Sequence, residues 1–304
     1  MKYNLETIIG HMLKTTAYIH FLKPGLMTSV QDQGRFGYAD FGVPYAGAMD
    51  QLSYNQANML LNNQEDAAVL EMAVLGPMMI FELPTRIVFS GAEADIFVND
   101  QLQPIGKLIQ IKADDQVKIG RFRKGQWLYM GIEGGIQSPE FLDSKSWYHG
   151  ISEFSRVQKD SSICYLSEEH FSRSHYSHPK LSADWYQKEV IPAYKGPDWE
   201  LLTIELQEKL TQQKFSISNI SNRMGIHLTE LLTNKLPSIL TAPVYPGTVQ
   251  LTPSGKLIVL MRDAQVTGGY PRILQLTDHS INVIAQKKFG ENLIFSIIEN
   301  DKII

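Results

Sequence analysis

Short apolar runs recur along this chain, cut by Gly, Pro, Asn and Asp, and that punctuation constrains its fold more than any other feature. In the first half the runs fall at 68–72, 78–82, 86–90, 95–98, 116–119 and 127–132. A second series follows at 201–206, 214–218, 225–228, 248–251, 257–261, 272–276 and 293–298. Strands this short and this numerous belong to barrels or sandwiches rather than to a doubly wound sheet. Asn99-Asp100, set between two runs, reads as a hairpin turn. Two segments read as helices. One starts at Asp50, a good N-cap, and runs to Asn62-Asn63 with Tyr54, Ala57, Leu60 and Leu61 on one side. The other spans 278–286. Between the two strand series, Ser138 to about Lys195 is dense in Ser, His, Tyr and charge, is broken by Pro179 and Pro192, and reads as a connection.

Composition then narrows the function. A chain of 304 residues, 43% hydrophobic, has material for two cores of ordinary domain size. With 28 Lys+Arg against 32 Asp+Glu the net charge is -4, so no basic field draws in a nucleic-acid backbone and a small-molecule substrate is expected. The longest apolar stretch, 67–81, is interrupted by Glu71 and Gly76-Pro77 and falls short of the roughly 20 residues that span a bilayer. The amino terminus, with Glu6 and His11 among its apolar residues, does not read as a signal peptide, and Met12 is an alternative start. A single cysteine, Cys164, suits a reducing compartment, so the cytoplasm is expected. His149, His170, His175 and His178 gather in the connection without a His-Glu-x-x-His spacing or a cysteine partner. They read as solvated loop residues, and no metal site is expected.

Two polar clusters carry what chemistry the residues themselves suggest. In the first, Gln31-Asp32-Gln33-Gly34-Arg35 is followed by Gly42-Val43-Pro44 and Gly47-Ala48-Met49-Asp50. Arg35 offers a planar donor fork to a carboxylate or phosphate, and the glycines let backbone N–H groups approach an anion. Equally, Asp32 pairs with Arg35 to hold a turn and Asp50 caps a helix. The second cluster, Arg262-Asp263-Ala264-Gln265-Val266-Thr267-Gly268-Gly269-Tyr270-Pro271, leaves the end of an apolar run. Gly268 and Gly269 present two amides to an oxyanion, with Asp263 as base or orienter and Tyr270 as a flanking donor, or the segment is a tight turn satisfied by Asp263 and Thr267. No Gly-x-x-x-x-Gly-Lys-Ser/Thr loop is present, so the chain shows no recognisable nucleotide site of its own.

Taken with the blocks Lys23-Pro24-Gly25, Ala57-Asn58, Leu70-Glu71, Gly76-Pro77, Ser90-Gly91-Ala92, Gly134-Gly135-Ile136, Asn222-Arg223-Met224-Gly225 and Pro246-Gly247-Thr248-Val249-Gln250, the two clusters resemble the biotin-dependent carboxyltransferase-like family. That family contains KipA, the C subunit of 5-oxoprolinase and part of urea carboxylase. The resemblance implies a mainly β protein, two cyclophilin-like β-barrel domains with a few short helices, over 19–195 and 196–304 after an N-terminal extension, 1–18. It implies catalytic roles for Asp32, Arg35, Asp263, Thr267 and Tyr270. Substrate or nucleotide binding falls to Gln31, Asp50, Asn58, Arg223, Gln250, Gly268 and Gly269.

The activity it implies first is that of the C subunit of an ATP-dependent 5-oxoprolinase, with ATP and Mg2+ in a complex with KipI-like and LamB/YcsF-like subunits. The alternatives are biotin-dependent carboxyl transfer to a urea-like amide and a KipA-type regulator that binds a KipI-like kinase inhibitor. One block departs from the family pattern: where Leu-Gly-Ser-Arg-Ser-Thr is usual, this chain has Leu142-Asp143-Ser144-Lys145-Ser146-Trp147. Lysine cannot reproduce a bidentate arginine contact, and Trp147 brings bulk, so either an altered substrate pocket or a loss of activity in this branch is expected.

Overall fold

The computed structural model describes residues 14–167 and 185–299. The first half comprises β1 (Thr15–Lys23), β2 (Met27–Gln31), α1 (Gln51–Leu61), β3 (Val69–Ala73), β4 (Met78–Phe81), β5 (Thr85–Val98), β6 (Gln101–Gln103), β7 (Ile109–Ile111), β8 (Gln116–Ile132) and β9 (Ser162–Ser167). Six of these strands run in the order β2-β3-β8-β4-β1-β9, while β5 pairs with β6, β7 and β8. The second half comprises β10 (Val190–Lys195), α2 (Ile204–Gln212), β11 (Phe215–Ser216), β12 (Gly225–His227), β13 (Ala242–Pro243), β14 (Thr248–Leu251), β15 (Leu257–Leu260), β16 (Thr267–Gly268), β17 (Arg272–Leu276), α3 (Asp278–Gln286) and β18 (Asn292–Ile297). Its main sheet has the order β11-β18-β10-β17-β14-β15-β12, and β13 pairs with β16 as a separate ribbon. Each main sheet curls into a half-barrel, so the architecture is mainly β with three α-helices among the described residues.

The long strands explain the curl. β5 alternates buried and partly exposed positions along most of its length, and it pairs antiparallel with β8 with register shifts between Gly91 and Ile96. Gly91 has φ +96°, and a Cβ there would stand 2.5 Å from the carbonyl oxygen of Trp127. Glycine therefore bends the strand without ending it. This is why the expected separate strands at 86–90 and 95–98 are one bent strand, as are 116–119 and 127–132. Asn99 and Asp100 both adopt positive φ, 47° and 64°, and close the expected hairpin.

The helix expected from Asp50 is α1, and the Asp50 carboxylate accepts from the backbone N–H groups of Leu52 and Ser53. The strand expected at 201–206 is not formed. Trp199–Leu201 is a 3-10 turn, and α2 starts behind Thr203, whose side chain caps Leu206 N. A cap and a following acidic residue outweigh a short alternation of apolar residues.

Two strands, β9 and β10, lie within the stretch read as a connection. β9 completes the edge of the first sheet against β1, and β10 pairs parallel with β18 in the second. β1 itself starts at Thr15, inside the stretch read as an extension, and Ala17 is fully buried. The first sheet has its own apolar core around Ile19, Leu70, Phe89 and Met130. A second core is shared by the halves: Met49, Tyr54, Trp127 and Tyr129 pack with Ile191, Leu251, Met261 and Ile284. Burial of Met49 there contributes about 1.5–3 kcal/mol. No helix among the described residues is long and apolar enough to cross a membrane.

Candidate functional site

The shared core carries a buried polar network at its edge, centred on Arg223. Its Nε and Nη2 donate to Asp263 at 2.7 and 2.8 Å, Nη2 also reaches the Gly47 carbonyl at 2.7 Å, and Nη1 donates to Glu71. Glu71, wholly buried, also accepts from Met49 N at 2.7 Å and from the Tyr129 hydroxyl at 2.9 Å. The Arg223 guanidinium lies 5.8 Å from the centre of the Trp127 ring. Burial alone would lower the pKa of Arg223, but Asp263 and Glu71 outweigh it and hold the cation firmly charged. Arg223 therefore ties the halves together, with each guanidinium nitrogen committed to a protein acceptor.

Arg35 differs. It is buried, its Nε donates to the Phe141 carbonyl at 3.2 Å and its Nη2 to the Ser146 carbonyl, while Nη1 has no acceptor among the described residues. Desolvation lowers its pKa, opposed by the charges of Asp32 and Asp263 and by Tyr148. The Tyr148 hydroxyl makes no hydrogen bond to the described residues, and burial, aided by Asp263, raises its pKa, so the phenol stays protonated and able to donate. Arg35, Tyr148 and Asp263 thus bring a cationic nitrogen, a neutral donor and a carboxylate into mutual electrostatic range.

Asp32 does not pair directly with Arg35 in a salt bridge. Its Oδ1 accepts from Gly34 N at 2.8 Å, Ser144 Oγ at 2.7 Å and Ser146 Oγ at 2.5 Å, and its Oδ2 accepts from Lys145 N at 2.5 Å. The carboxylate holds the strap 144–146, whose Ser146 carbonyl in turn receives Arg35. Lys145 serves through its backbone N–H. Trp147 turns outward: its Nε1 donates to Ser138 Oγ at 2.9 Å, and its ring packs on the first core and beside Phe154. Asp143, the third departure, accepts from the Tyr38 hydroxyl at 2.5 Å, and the three departures leave the Asp32 cage intact.

The remaining expected residues sort by place. Gln31 joins the network, its Nε2 donating to Ser29 Oγ and the Trp147 carbonyl and its Oε1 facing Arg223 Nη2 at 3.4 Å. Asp50 is wholly buried as the α1 cap, and its Oδ2 receives Ser53 Oγ at 2.5 Å and Gln286 Nε2 at 2.7 Å, a strut to α3 in the other half. Asn58 secures the turn after α1 through the Ala67 carbonyl. Gln250 reaches the Tyr270 carbonyl at 3.4 Å. A Cβ at Gly268 would stand 2.4 Å from Gln250 Nε2, so a side chain there would displace that amide from the underside of the β13–β16 ribbon. The Gly269 carbonyl accepts from Ile239 N. Thr267 on this ribbon and Tyr270 just beyond it are exposed, outside the hydrogen-bond network of Arg223.

Sequence reasoning missed Glu71, Tyr129, Ser144, Ser146, Tyr148 and Gln286 as parts of this arrangement. Glu71 carried a signal, an acid inside an apolar run. Of the loop histidines, His170, His175 and His178 lie outside the described residues.

Comparison with known proteins agrees with this architecture. The chain is 27% identical over 277 residues to the C subunit of 5-oxoprolinase from Haemophilus influenzae, covering 89% of this chain and 88% of that protein. It is 28% identical over 285 residues to the C subunit of 5-oxoprolinase from Escherichia coli, covering 91% and 90%. The fold superimposes on the crystal structure of the K. lactis urea amidolyase with a TM-score of 0.82 at 24% identity, over 96% of this chain but 19% of that one. The family profile of the carboxyltransferase domain, subdomain A and B, matches residues 41–297, and the chain belongs to that family.

Proposed function

We propose that this chain is the C subunit of an ATP-dependent 5-oxoprolinase, opening 5-oxo-L-proline to L-glutamate together with KipI-like and LamB/YcsF-like subunits. The observation that carries the reading is the buried Arg35 guanidinium with Nη1 unpartnered, in a chain similar over most of its length to two C subunits of that enzyme. A buried donor without an acceptor costs about 1–3 kcal/mol, more when charged, and a ligand that brings the acceptor recovers it. The substrate's carboxylate is such an acceptor and brings the opposite charge, whereas a urea accepts only through a neutral carbonyl.

Within this proposal Arg35 binds the carboxylate and Tyr148 donates to an oxygen of the ring amide. Asp263, fixed by two bonds from Arg223, takes the proton from the attacking water. Asp32 acts at one remove, by holding the strap that aims Arg35. An unstrained amide is a poor electrophile, and ATP, as co-substrate with Mg2+ in the assembled complex, supplies the phosphoryl group that makes the lactam oxygen a leaving group. Arg35 Nη1 fits one anionic oxygen, and the partner proteins complete the rest of the site and exclude water from it.

The test is copurification of the three proteins followed by a glutamate-release assay with each omitted in turn. Activity only with all three, and without biotin, supports the reading. Full activity without this chain overturns it. A biotin requirement would move the assignment to carboxyl transfer, and a tight complex inert on every amide would move it to a KipA-type regulator.

A further inference from the structure

A cleft of about 530 Å³ opens beside Phe141 and Trp147, the residues that flank the strap holding Arg35. None of Arg35, Tyr148, Arg223 or Asp263 lines it, so it is separate from the site above. Its apolar wall is Trp147 and Phe154, ring centres 5.6 Å apart and tilted by 44°. The indole N–H is already taken by Ser138, so Trp147 offers the cleft its ring surface and no free donor. The floor is stiff. It is formed partly by β9, paired with β1, and by the turn in which Ser161 Oγ closes on the Gln158 carbonyl.

The charges around the cleft are balanced. Lys159 and Asp160, both largely exposed, form a loose ion pair at 3.9 Å. Glu153 and Arg156 are both exposed, and neither has a salt-bridge partner among the described residues. One unpaired cation and one unpaired anion beside an aromatic wall select against a polyanion and against a simple cation. They suit a small zwitterion with an apolar side chain, whose carboxylate meets Arg156, whose ammonium meets Glu153 and whose side chain lies on Trp147 and Phe154.

We infer that this cleft is a binding site for a free α-amino acid with an aromatic or large aliphatic side chain. The inference does not rest on the 5-oxoprolinase reading, since it uses neither that site nor the partner proteins. Phe141 and Trp147 face the cleft while their carbonyls receive Arg35 and Gln31, so an occupant touches the residues that set the catalytic-side geometry.

The experiment is titration of the full chain with L-phenylalanine, read by isothermal calorimetry and by tryptophan emission. 3-Phenylpropionate, phenethylamine and L-glutamate are run in parallel. Saturable binding of L-phenylalanine is expected, weakened about tenfold or more when either charge of the ligand is deleted and likewise in Arg156→Gln and Glu153→Gln, about 1.4 kcal/mol each. Both side chains are exposed, so these variants keep the fold. Trp147→Leu is expected to abolish the emission change. No saturable binding overturns the inference, and so does binding that is equal for the uncharged-end analogues or indifferent to Arg156→Gln. Tighter binding of L-glutamate than of L-phenylalanine would remove the apolar wall from the argument and also overturn it.

Discussion

Replacing Arg223 by methionine isolates the buried network, because the side chain keeps much of its volume and loses its charge. The Glu71 side chain is 0% exposed and Arg223 6%, so the carboxylate left behind cannot be rehydrated in place. It keeps only Met49 N and the Tyr129 hydroxyl. Removing one partner of such a pair costs about 3–5 kcal/mol, which at this chain length is a fall of roughly 5–8 °C in Tm. Burial already pushes the Glu71 carboxyl above its ordinary value, with Arg223 opposing, and without Arg223 it rises further. The folded variant then binds a proton that the unfolded chain releases, so its stability falls as pH rises. The deficit against wild type is therefore larger near pH 8 than near pH 5. Adding Glu71→Gln to Arg223→Met removes the stranded charge and restores about 2 kcal/mol. Urea unfolding followed by circular dichroism at both pH values measures all three proteins. A loss below about 1 kcal/mol in Arg223→Met, or a deficit that shrinks with rising pH, would refute the view of Arg223 as the tie between the halves.

Asp50→Ala is expected to cost about 2–4 kcal/mol, through the lost cap and the lost bond from Gln286, while Asp50→Asn, which can still cap, costs less than half of that; chemical denaturation separates them. Gly91→Ala places a Cβ 2.5 Å from the Trp127 carbonyl and is expected to cost more than about 2 kcal/mol, whereas Gly37→Ala, also at positive φ but in open space, costs about 1 kcal/mol; equal losses would refute the steric account. Asp198 is held below its ordinary value because two bonds from Arg272 outweigh its burial. Its contribution is present above the unfolded value of about 3.8 and is lost as pH falls through the lower folded value, so Asp198→Asn flattens the acid limb of the stability curve below about pH 4.

What the sequence made legible follows from where the signals are local. Turn residues and alternation located most strands, and Asp50 marked the start of α1, because caps and turns are decided within a few residues. Helix α2 was hidden because its apolar face is narrow, with Leu210 its one buried side chain, and Leu202, Ile204 and Leu206 alternate as in a strand. β9 and β10 were hidden because each is short and sits among polar residues, and only pairing with distant strands defines them.

The candidate site shows the same division. Gln31, Asp32, Arg35, Arg223 and Asp263 are brought together as a group, although 192 positions separate Gln31 from Arg223. Their individual duties were not readable. Whether an arginine is saturated, as Arg223 is, or keeps a free nitrogen, as Arg35 does, depends on carbonyls and carboxylates contributed by remote loops. Tyr148 gave no signal, since a tyrosine in a polar loop is commonplace, and Ser144 and Ser146 kept the family block without showing that their hydroxyls hold Asp32.

The most direct test of the central claim is the kinetic and thermal behaviour of Arg35→Gln within the assembled complex. Loss of a buried charged contact to the substrate predicts a fall in kcat/KM for 5-oxoproline of about 100-fold or more, with Tm lowered by no more than about 5 °C. Undiminished turnover, or a Tm that collapses in step with activity, would contradict the assignment of Arg35 as the anion-binding residue.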